Sequence, residues 1–180
     1  MATYKWSIDP SHSEVAFKVK HLMITTITGY FGKFTLDLET TSNDFNTAKN
    51  IAFKAEINSI NTNDTQRDEH LKSADFFNAE AYRYLEFTGV KYVGIGDEAQ
   101  LTGNLTIGNI TKAITLKVLF GGIVVDSYGQ TKAGFSLSGQ LSRKEFGLTW
   151  DAVTEAGNIV VSDEVRISAE VQVIKKDIIL

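Results

Sequence analysis

Apolar and polar residues alternate along most of this 180-residue chain, and the alternation constrains the fold more than any other feature. Successive side chains of a β-strand point to opposite faces, so a period of two predicts strands with one buried face and one solvated face. Phe17 and Val19, for example, are flanked by Lys18 and Lys20. The pattern recurs in about eight or nine segments joined by short turns, which predicts an all-β chain.

One polar stretch, from Asp64 to Leu71, breaks the alternation. Asp is among the residue types that cap the N-terminus of a helix, because its carboxylate accepts hydrogen bonds from the first free backbone N–H groups. We therefore predict one short helical segment near residues 64–72. The whole chain, residues 1–180, is expected to form a single domain, since its length is that of one hydrophobic core.

The edges of the predicted sheet favour a barrel over a sandwich. An all-β domain has to protect its exposed strand edges, and proline is one residue that blunts them. The chain contains a single proline, Pro10. Closing the sheet on itself removes the edges, so we predict a closed antiparallel barrel, whose interior at eight strands is either filled by side chains or holds one small ligand.

Three local predictions follow from the alternation of side chains along strands and from the residue types that favour turns. Gly29–Gly32 is interpreted as a turn region between strands, and Gly108-Asn109 as a hairpin turn. In the strand that follows the helical segment, the apolar residues at odd-numbered positions share one face. We expect this face to point inward, with Leu85, Phe87, Val93 and Ile95 on it.

The composition excludes several classes of function. The absence of cysteine rules out disulfides, thiolate metal sites and cysteine nucleophiles. A net charge of −4 argues against a nucleic-acid partner, which normally requires a basic patch. The chain has no apolar run long enough to span a membrane and no secretory signal near Met1, so we expect a cytoplasmic location, or a periplasmic one if a signal has been removed.

The polar residues do not suggest a catalytic site. His12, His21 and His70 are too far apart in sequence to form a local metal-ligand pair, so no metal and no cofactor are expected. Asp9, His12 and Ser13 have the residue types of a nucleophilic triad, but they lie in one short turn with nothing to place an oxyanion hole beside them. The sequence therefore predicts a protein that is not an enzyme.

A series of motifs, in order along nearly the whole chain, resembles the YceI-like family, also called the polyisoprenoid-binding family. The motifs that carry the resemblance include Trp6-Ser-Ile-Asp9-Pro-Ser-His12, Gly29-Tyr-Phe31-Gly32, Arg67-Asp-Glu-His70-Leu71 and Arg143-Lys-Glu-Phe146-Gly147. The resemblance implies a lipocalin-like eight-stranded antiparallel barrel with one long apolar tunnel. It also implies a polyisoprenoid, or another long-chain amphiphilic lipid, as the partner, and it is compatible with a homodimer.

We therefore hypothesise that the chain binds, transports or sequesters a polyisoprenoid such as a prenyl quinone or prenyl phosphate. The surplus of phenylalanine, 11 residues, suits a tunnel wall because the Phe ring has no polar hydrogen that needs a partner. Two alternatives stay open: a lipid- or stress-related enzyme, for which an inward-facing His21 would be needed, and a protein-interaction module with a filled core.

The expected ligand-binding residues fall into a wall and a mouth. Arg67 and His70 are the candidates for contact with a head group, although Arg67 and Asp68 could simply cap the helix and pair locally. The mouth is expected to contain Leu71, Phe76 and Phe77. The wall is expected to contain Phe17, Val19, His21, Phe34, Leu36, Phe53, Ile57, Phe87 and Phe135.

Overall fold

The structure, a computed structural model, describes residues 2–152 and 160–179, with side chains as far as residue 176. Strands dominate this part of the chain. They are β1 (Thr3–Ile8), β2 (Glu14–His21), β3 (Thr25–Phe31), β4 (Phe34–Thr40), β5 (Lys49–Glu56), β6 (Ile60–Asn61), β7 (Tyr84–Ile95), β8 (Glu98–Ile107), β9 (Ile110–Val125), β10 (Thr131–Ser142) and β11 (Glu164–Ile179). Short 3-10 helices cover Pro10–His12, Phe45–Thr47, Ile57–Ser59 and Lys144–Phe146.

The eleven strands form a closed eight-stranded antiparallel barrel, as the sequence predicted. Three pairs, β1 with β2, β3 with β4 and β5 with β6, each act as one bent strand of the barrel wall. The wall then continues through β7, β8, β9 and β10 to β11. β11 closes it by pairing with β2 through residues 166–170 and with β1 through residues 173–179. Each strand thus lies beside its neighbour in sequence.

The single α-helix of the described ranges, α1 (Thr65–Lys72), confirms the predicted helical segment. Asp64 is its N-cap and accepts a hydrogen bond from the backbone N–H of Arg67. Within residues 2–152 and 160–179, no helix is long and apolar enough to cross a bilayer. The predicted hairpin turn at Gly108-Asn109 is also confirmed, since Ile107 and Ile110 face each other directly across it.

The region Gly29–Gly32, predicted as a turn, is wrong in its first part because β3 runs through Gly29. The glycine is explained by a close approach instead of by a turn. A Cβ atom on Gly29 would clash with Cζ of Phe17 on the paired strand β2. The ring of Phe17 therefore covers the backbone of β3 and leaves no space for a side chain there.

The predicted inward faces of Val93 and Ile95 are also wrong. The pairing register of β7 with β8 shifts between Gly89 and Lys91, which is the signature of a β-bulge. One extra residue in a strand reverses the faces of every side chain after it. Tyr92 therefore lines the interior, while Val93 and Ile95 are 49% and 88% exposed.

A buried hydrogen bond fastens β1 to β4 near one end of the barrel. Nε1 of Trp6 donates to Oγ1 of Thr40 at 2.9 Å, and both residues are fully buried. The Thr40 hydroxyl in turn donates to the carbonyl of Ser42 at 2.7 Å. The indole N–H thus has a partner inside the core, where an unpaired donor would be costly.

Removing this hydroxyl is expected to destabilise the barrel. In Thr40→Val the Trp6 N–H and the Ser42 carbonyl lose their partner, so the free energy of unfolding in urea should fall by about 1–3 kcal/mol. Thr35→Val is the control, because Thr35 is exposed on the same strand. Equal effects of the two substitutions would contradict the role assigned to the hydrogen bond.

A polar cluster holds the bend between β1 and β2. Asp9 accepts hydrogen bonds from the Ser11 hydroxyl at 2.8 Å and from Nδ1 of His12 at 2.8 Å, and Nζ of Lys132 lies 3.5 Å away. Burial alone would raise the pKa of the Asp9 carboxyl. The hydrogen bonds of His12 and Ser11, with the charges of His12 and Lys132, outweigh that effect and lower the pKa from 3.8 to about 2.

This lowered pKa predicts a loss of stability in acid. Because the folded-state pKa lies below that of the unfolded chain, Asp9 contributes fully above about pH 4 and loses its contribution as the pH falls towards 2. Asp9→Asn should therefore lower the free energy of unfolding by about 2 kcal/mol at pH 5 and by progressively less at pH 3 and 2. Glu14→Gln, at an exposed carboxylate on β2, should show no such trend. A constant Asp9→Asn deficit across this range would contradict the assignment.

Candidate functional site

The barrel encloses a cavity of about 610 Å³, within the usual size range of small-molecule sites. The middle of its wall is apolar and comes from β-strands around the whole barrel. Members of this wall outside the predicted set of binding residues include Leu101, Leu105, Ile114, Leu116, Leu137 and Val171. An interior of this size is not the filled core that a simple interaction module would have.

One end of the cavity is closed by an aromatic cluster around Phe45, which lies in the 3-10 helix Phe45–Thr47 and is 4% exposed. Its ring centroid lies 5.0 Å from that of Trp6 and 4.9 Å from that of Phe135. Phe120 and Tyr92 follow at 5.6 and 6.5 Å. We call this cluster the floor of the cavity.

The opposite end carries all the charged side chains that line the cavity in the described ranges: Asp64, Arg67 and Arg143, together with His21 and His70. We call this end the mouth. Helix α1 lies beside it, because Thr62, Gln66 and Leu71 also belong to the cavity lining. The cavity is thus apolar along its length and polar at one end, which is the arrangement that an amphiphile requires.

Arg67 is held largely by its own neighbours. Its Nε donates to Oγ1 of Thr62 at 2.8 Å, and its Nη2 donates to the Thr62 carbonyl at 2.6 Å. Asp68 accepts hydrogen bonds from the backbone N–H and the hydroxyl of the same threonine. The local pairing left open by the sequence is therefore present. Nη1 of Arg67, 4.0 Å from Asp64, is the group left with the weakest protein contact.

His70 is part of an aromatic rim at the mouth. Its Nε2 lies 2.8 Å from a carboxylate oxygen of Asp75, and its ring meets Phe76 and Trp150 edge-on at centroid distances of 5.1 and 4.7 Å. Phe76 and Trp150 contact each other at 5.3 Å. The rim joins the segment after α1 to Trp150, more than 70 positions further along the chain. Trp150 is not among the binding residues predicted from the sequence.

Arg143 organises the other side of the mouth. The residue is 3% exposed, and its guanidinium donates to the carbonyls of Ser162, Leu148 and Trp150 at 2.7–2.8 Å. Val161 supplies a fourth carbonyl at 3.2 Å. One side chain thereby fixes the two segments on either side of residues 153–159. In the sequence Arg143 stands out only as part of a motif, since no local spacing reveals a buried arginine.

Twelve of the fourteen residues predicted from sequence lie on the cavity wall or its mouth, and Phe34 and Ile57 do not. Ile57 begins a 3-10 helix, where strand parity no longer applies, and packs in a small cluster with Phe31 and Ile60. Phe34 packs between the two core clusters, 6.4 Å from Phe53. The twelve that line it are Phe17, Val19, His21, Leu36, Phe53, Arg67, His70, Leu71, Phe76, Phe77, Phe87 and Phe135. That they bind a ligand stays a prediction.

Asp9, His12 and Ser13 do not form a nucleophilic triad. His12 uses one atom, Nδ1, towards both Asp9 and Ser11, whereas a triad needs both ring nitrogens. Ser13 donates to the backbone carbonyl of Gln172 instead. Within the described ranges, no carboxylate lies within ion-pair distance of the His21 ring, and no three acidic or histidine side chains form a metal cluster.

Loss of the Arg143 guanidinium is expected to loosen the mouth. Arg143→Met leaves up to four carbonyls without a donor, so the free energy of unfolding should fall by about 3–5 kcal/mol. The fluorescence of Trp150, which lies at the mouth, should shift towards that of a solvated indole. Arg166→Met is the control, because that side chain is 71% exposed on β11. Unchanged fluorescence with full stability would refute this role.

An up-and-down antiparallel barrel around one apolar cavity defines the class of lipocalin-like β-barrels. The family model of the YceI-like domain matches residues 6–173, so the chain belongs to the YceI-like family. Protein YceI of Salmonella newport is 34% identical over 154 residues, which are 83% of this chain and 78% of that relative.

Solved structures share the fold. The YCEI protein of Campylobacter jejuni is 31% identical and superimposes with a TM-score of 0.75, over 88% of this chain and 90% of that one. A domain of Saccharophagus degradans, described as a polyisoprenoid binding domain, superimposes with a TM-score of 0.71 over 95% and 98% of the two chains. At 13% identity, that likeness concerns the fold.

Proposed function

We propose that this protein binds the tail of one polyisoprenoid, or of a similar long-chain amphiphilic lipid, inside the barrel and carries or sequesters it without chemical change. The observation that carries the proposal is the division of the cavity. Its walls and floor are apolar, whereas its charged side chains, Asp64, Arg67 and Arg143, lie at the mouth. An amphiphile would enter tail first and leave its head group beside α1.

The energetics suit a prenyl tail. Moving apolar carbon from water into an apolar site stabilises the complex by about 0.8 kcal/mol per CH₂, or about 3 kcal/mol per five-carbon isoprene unit before losses. Lining rings such as Phe17, Phe53, Phe87 and Phe135 present no donor that would be left unpaired against such a tail. A polar ligand of the same size would have to give up its hydrogen bonds with water.

Two further observations support binding without catalysis. His21 lines the mouth without a carboxylate beside it in the described ranges, so the residue that the enzyme hypothesis needed lacks a partner to activate it. The fold is also shared with the Saccharophagus degradans domain, whose description names polyisoprenoid binding. A prenyl quinone or prenyl phosphate is the ligand class we assign to the cavity.

The direct test is to extract the protein purified from its native source with organic solvent and to read the extract by mass spectrometry. We expect one amphiphile with a long apolar tail per barrel, and uptake of an added prenyl quinone by protein that has been stripped of lipid. Absence of any apolar ligand together with failure to take up the quinone would overturn the proposal.

Filling the cavity should weaken uptake without changing the mouth. Ala169 on β11 lines the cavity and pairs across the sheet with Leu137 and Val15. Ala169→Phe should occupy the tunnel and weaken binding of a prenyl quinone at least about tenfold in a fluorescence-quenching titration. Glu170→Phe adds the same ring on the outer face of the same strand and should bind as the parent does. Equal binding by both variants would place the lipid elsewhere.

A further inference from the structure

The floor of the cavity limits how far a tail can enter. We propose that Phe45 sets the longest tail that the barrel accommodates, so that it acts as a length-determining residue. This inference rests on the proposed function and adds specificity to it. The ring of Phe45 both lines the cavity and contacts Trp6, Phe120 and Phe135, so a tail that reaches it meets a packed aromatic cluster.

The backbone beneath this ring is firmly held. The Asp44 carboxylate accepts a hydrogen bond from the N–H of Asn46 at 2.9 Å, and the Thr47 hydroxyl donates to the Asp44 carbonyl at 2.6 Å. The Asn46 side chain then binds Gly94 of β7 in both directions, accepting from its N–H at 2.7 Å and donating to its carbonyl at 3.1 Å. The short helix is thereby fastened to the barrel wall, and the floor cannot retreat without breaking these bonds.

A fixed floor has a consequence for chain-length dependence. Each isoprene unit added to a short tail buries more apolar surface, so affinity rises with length while the tail still fits. Once the tail reaches Phe45, further units have to stay outside the mouth in water. Affinity is then expected to stop rising at a definite number of units.

The test is to measure the affinity of prenyl quinones of increasing tail length and to locate the length at which it levels off. Phe45→Ala should move that length up by about one isoprene unit, and Phe45→Leu, which disturbs the packing less, should move it in the same direction by less. Ala48→Phe should move it down, because Ala48 lines the cavity and ends the same 3-10 helix. Val124→Thr, at an exposed position of β9, is the control and should leave that length unchanged.

The outcomes separate this inference from the proposed function. If no prenyl quinone of any length binds the parent protein, the proposed function fails. If the affinities level off but Phe45→Leu and Ala48→Phe, shown to be folded by circular dichroism, do not move that length, only the role of Phe45 is overturned. Opposite shifts of the two variants would support it.

A second, independent observation concerns the turn between β2 and β3. The N–H of Ile24 donates to the carbonyl of His21 at 3.1 Å, which closes a β-turn around Leu22 and Met23. Both central residues have positive φ, 51° and 59°. This is the backbone of a type I′ turn, which strongly favours Asn and Gly, so two large apolar residues are held there under strain.

The strained turn presents apolar side chains to solvent beside the mouth. Met23 and Ile24 are 59% and 77% exposed. The N–H of Leu22 donates to the carbonyl of Val160 at 2.8 Å, and His21 forms a backbone bridge with Val161. Val160 and Val161 both line the cavity. The exposed tip therefore lies next to the route by which a lipid tail would enter.

We infer that this turn docks the mouth on a lipid bilayer, with Met23 and Ile24 inserted among the lipids so that a tail passes into the barrel without crossing water. This inference also rests on the proposed function. Charges beside the turn are mixed, with Lys20 on β2, Asp163 just before β11 and Glu164 at its start, and the chain carries a net charge of −4. These charges give no attraction to an anionic surface. We therefore expect the turn to bind a neutral, zwitterionic bilayer through insertion of its apolar side chains.

The test is the rate at which the stripped protein extracts a prenyl quinone from phosphatidylcholine vesicles. The variant Met23→Gly/Ile24→Thr should lower that rate at least about tenfold, while its affinity for the quinone in detergent stays unchanged. Gly suits the positive φ at Met23, so the variant should melt at the same temperature as the parent or higher. Ile95→Thr, an 88% exposed isoleucine at the opposite end, is the matched control and should extract normally.

Three results would overturn the docking role. An unchanged extraction rate in the double variant would exclude the turn from the transfer step. An equal loss in Ile95→Thr would show that general surface apolarity governs the rate. Dissociation of a solution dimer by the double substitution would assign Met23 and Ile24 to an interface between copies of this chain. Quinone binding in detergent is measured in parallel. If the parent protein binds the quinone there, any of these three results overturns only the docking role and not the proposed function.

Discussion

The pairing of β11 on both of its sides is the constraint on which the rest of the structure depends. One side of this strand is paired with β10 along residues 164–174, while the other pairs first with β2 and then with β1. The bend at Pro10 lets the first strand of the barrel follow this long partner in two pieces. Because closure leaves both ends of the barrel to be covered by connecting segments, those segments determine where the cavity opens.

The two ends are built from opposite chemistry, and this asymmetry gives the cavity its direction. At the floor, Phe45 packs among aromatic rings, and the one buried indole N–H there is satisfied by Thr40. At the mouth, Arg143 and Arg67 are bound to backbone carbonyls of the segments that they hold in place. The indole N–H of Trp6 and the guanidinium groups of Arg67 and Arg143 therefore all have protein partners.

The alternation placed side chains correctly along most regular strands, with Phe34 as an exception because it packs between the two core clusters. Predictions failed at three irregular points, each with a physical cause. The bulge in β7 reversed the faces of Val93 and Ile95 and turned Tyr92 inward. A 3-10 turn removed Ile57 from the cavity wall. Gly29, interpreted as a turn residue, lies within a strand beneath the ring of Phe17. A bulge or a ring over a glycine depends on the partner strand, which a single segment of sequence does not identify.

The scarcity of proline in the sequence favoured a closed barrel. The sequence by itself also determined the all-β class, the single helical segment beginning after Asp64 and nine apolar residues of the cavity lining. These properties depend on local alternation and capping, which a short window of residues contains. Tertiary structure decided which end is the mouth and which is the floor, and it brought Trp150 to His70 and Phe45 to Phe135. Those contacts join residues far apart in the chain, and their distances follow only from how the strands are staggered around the barrel.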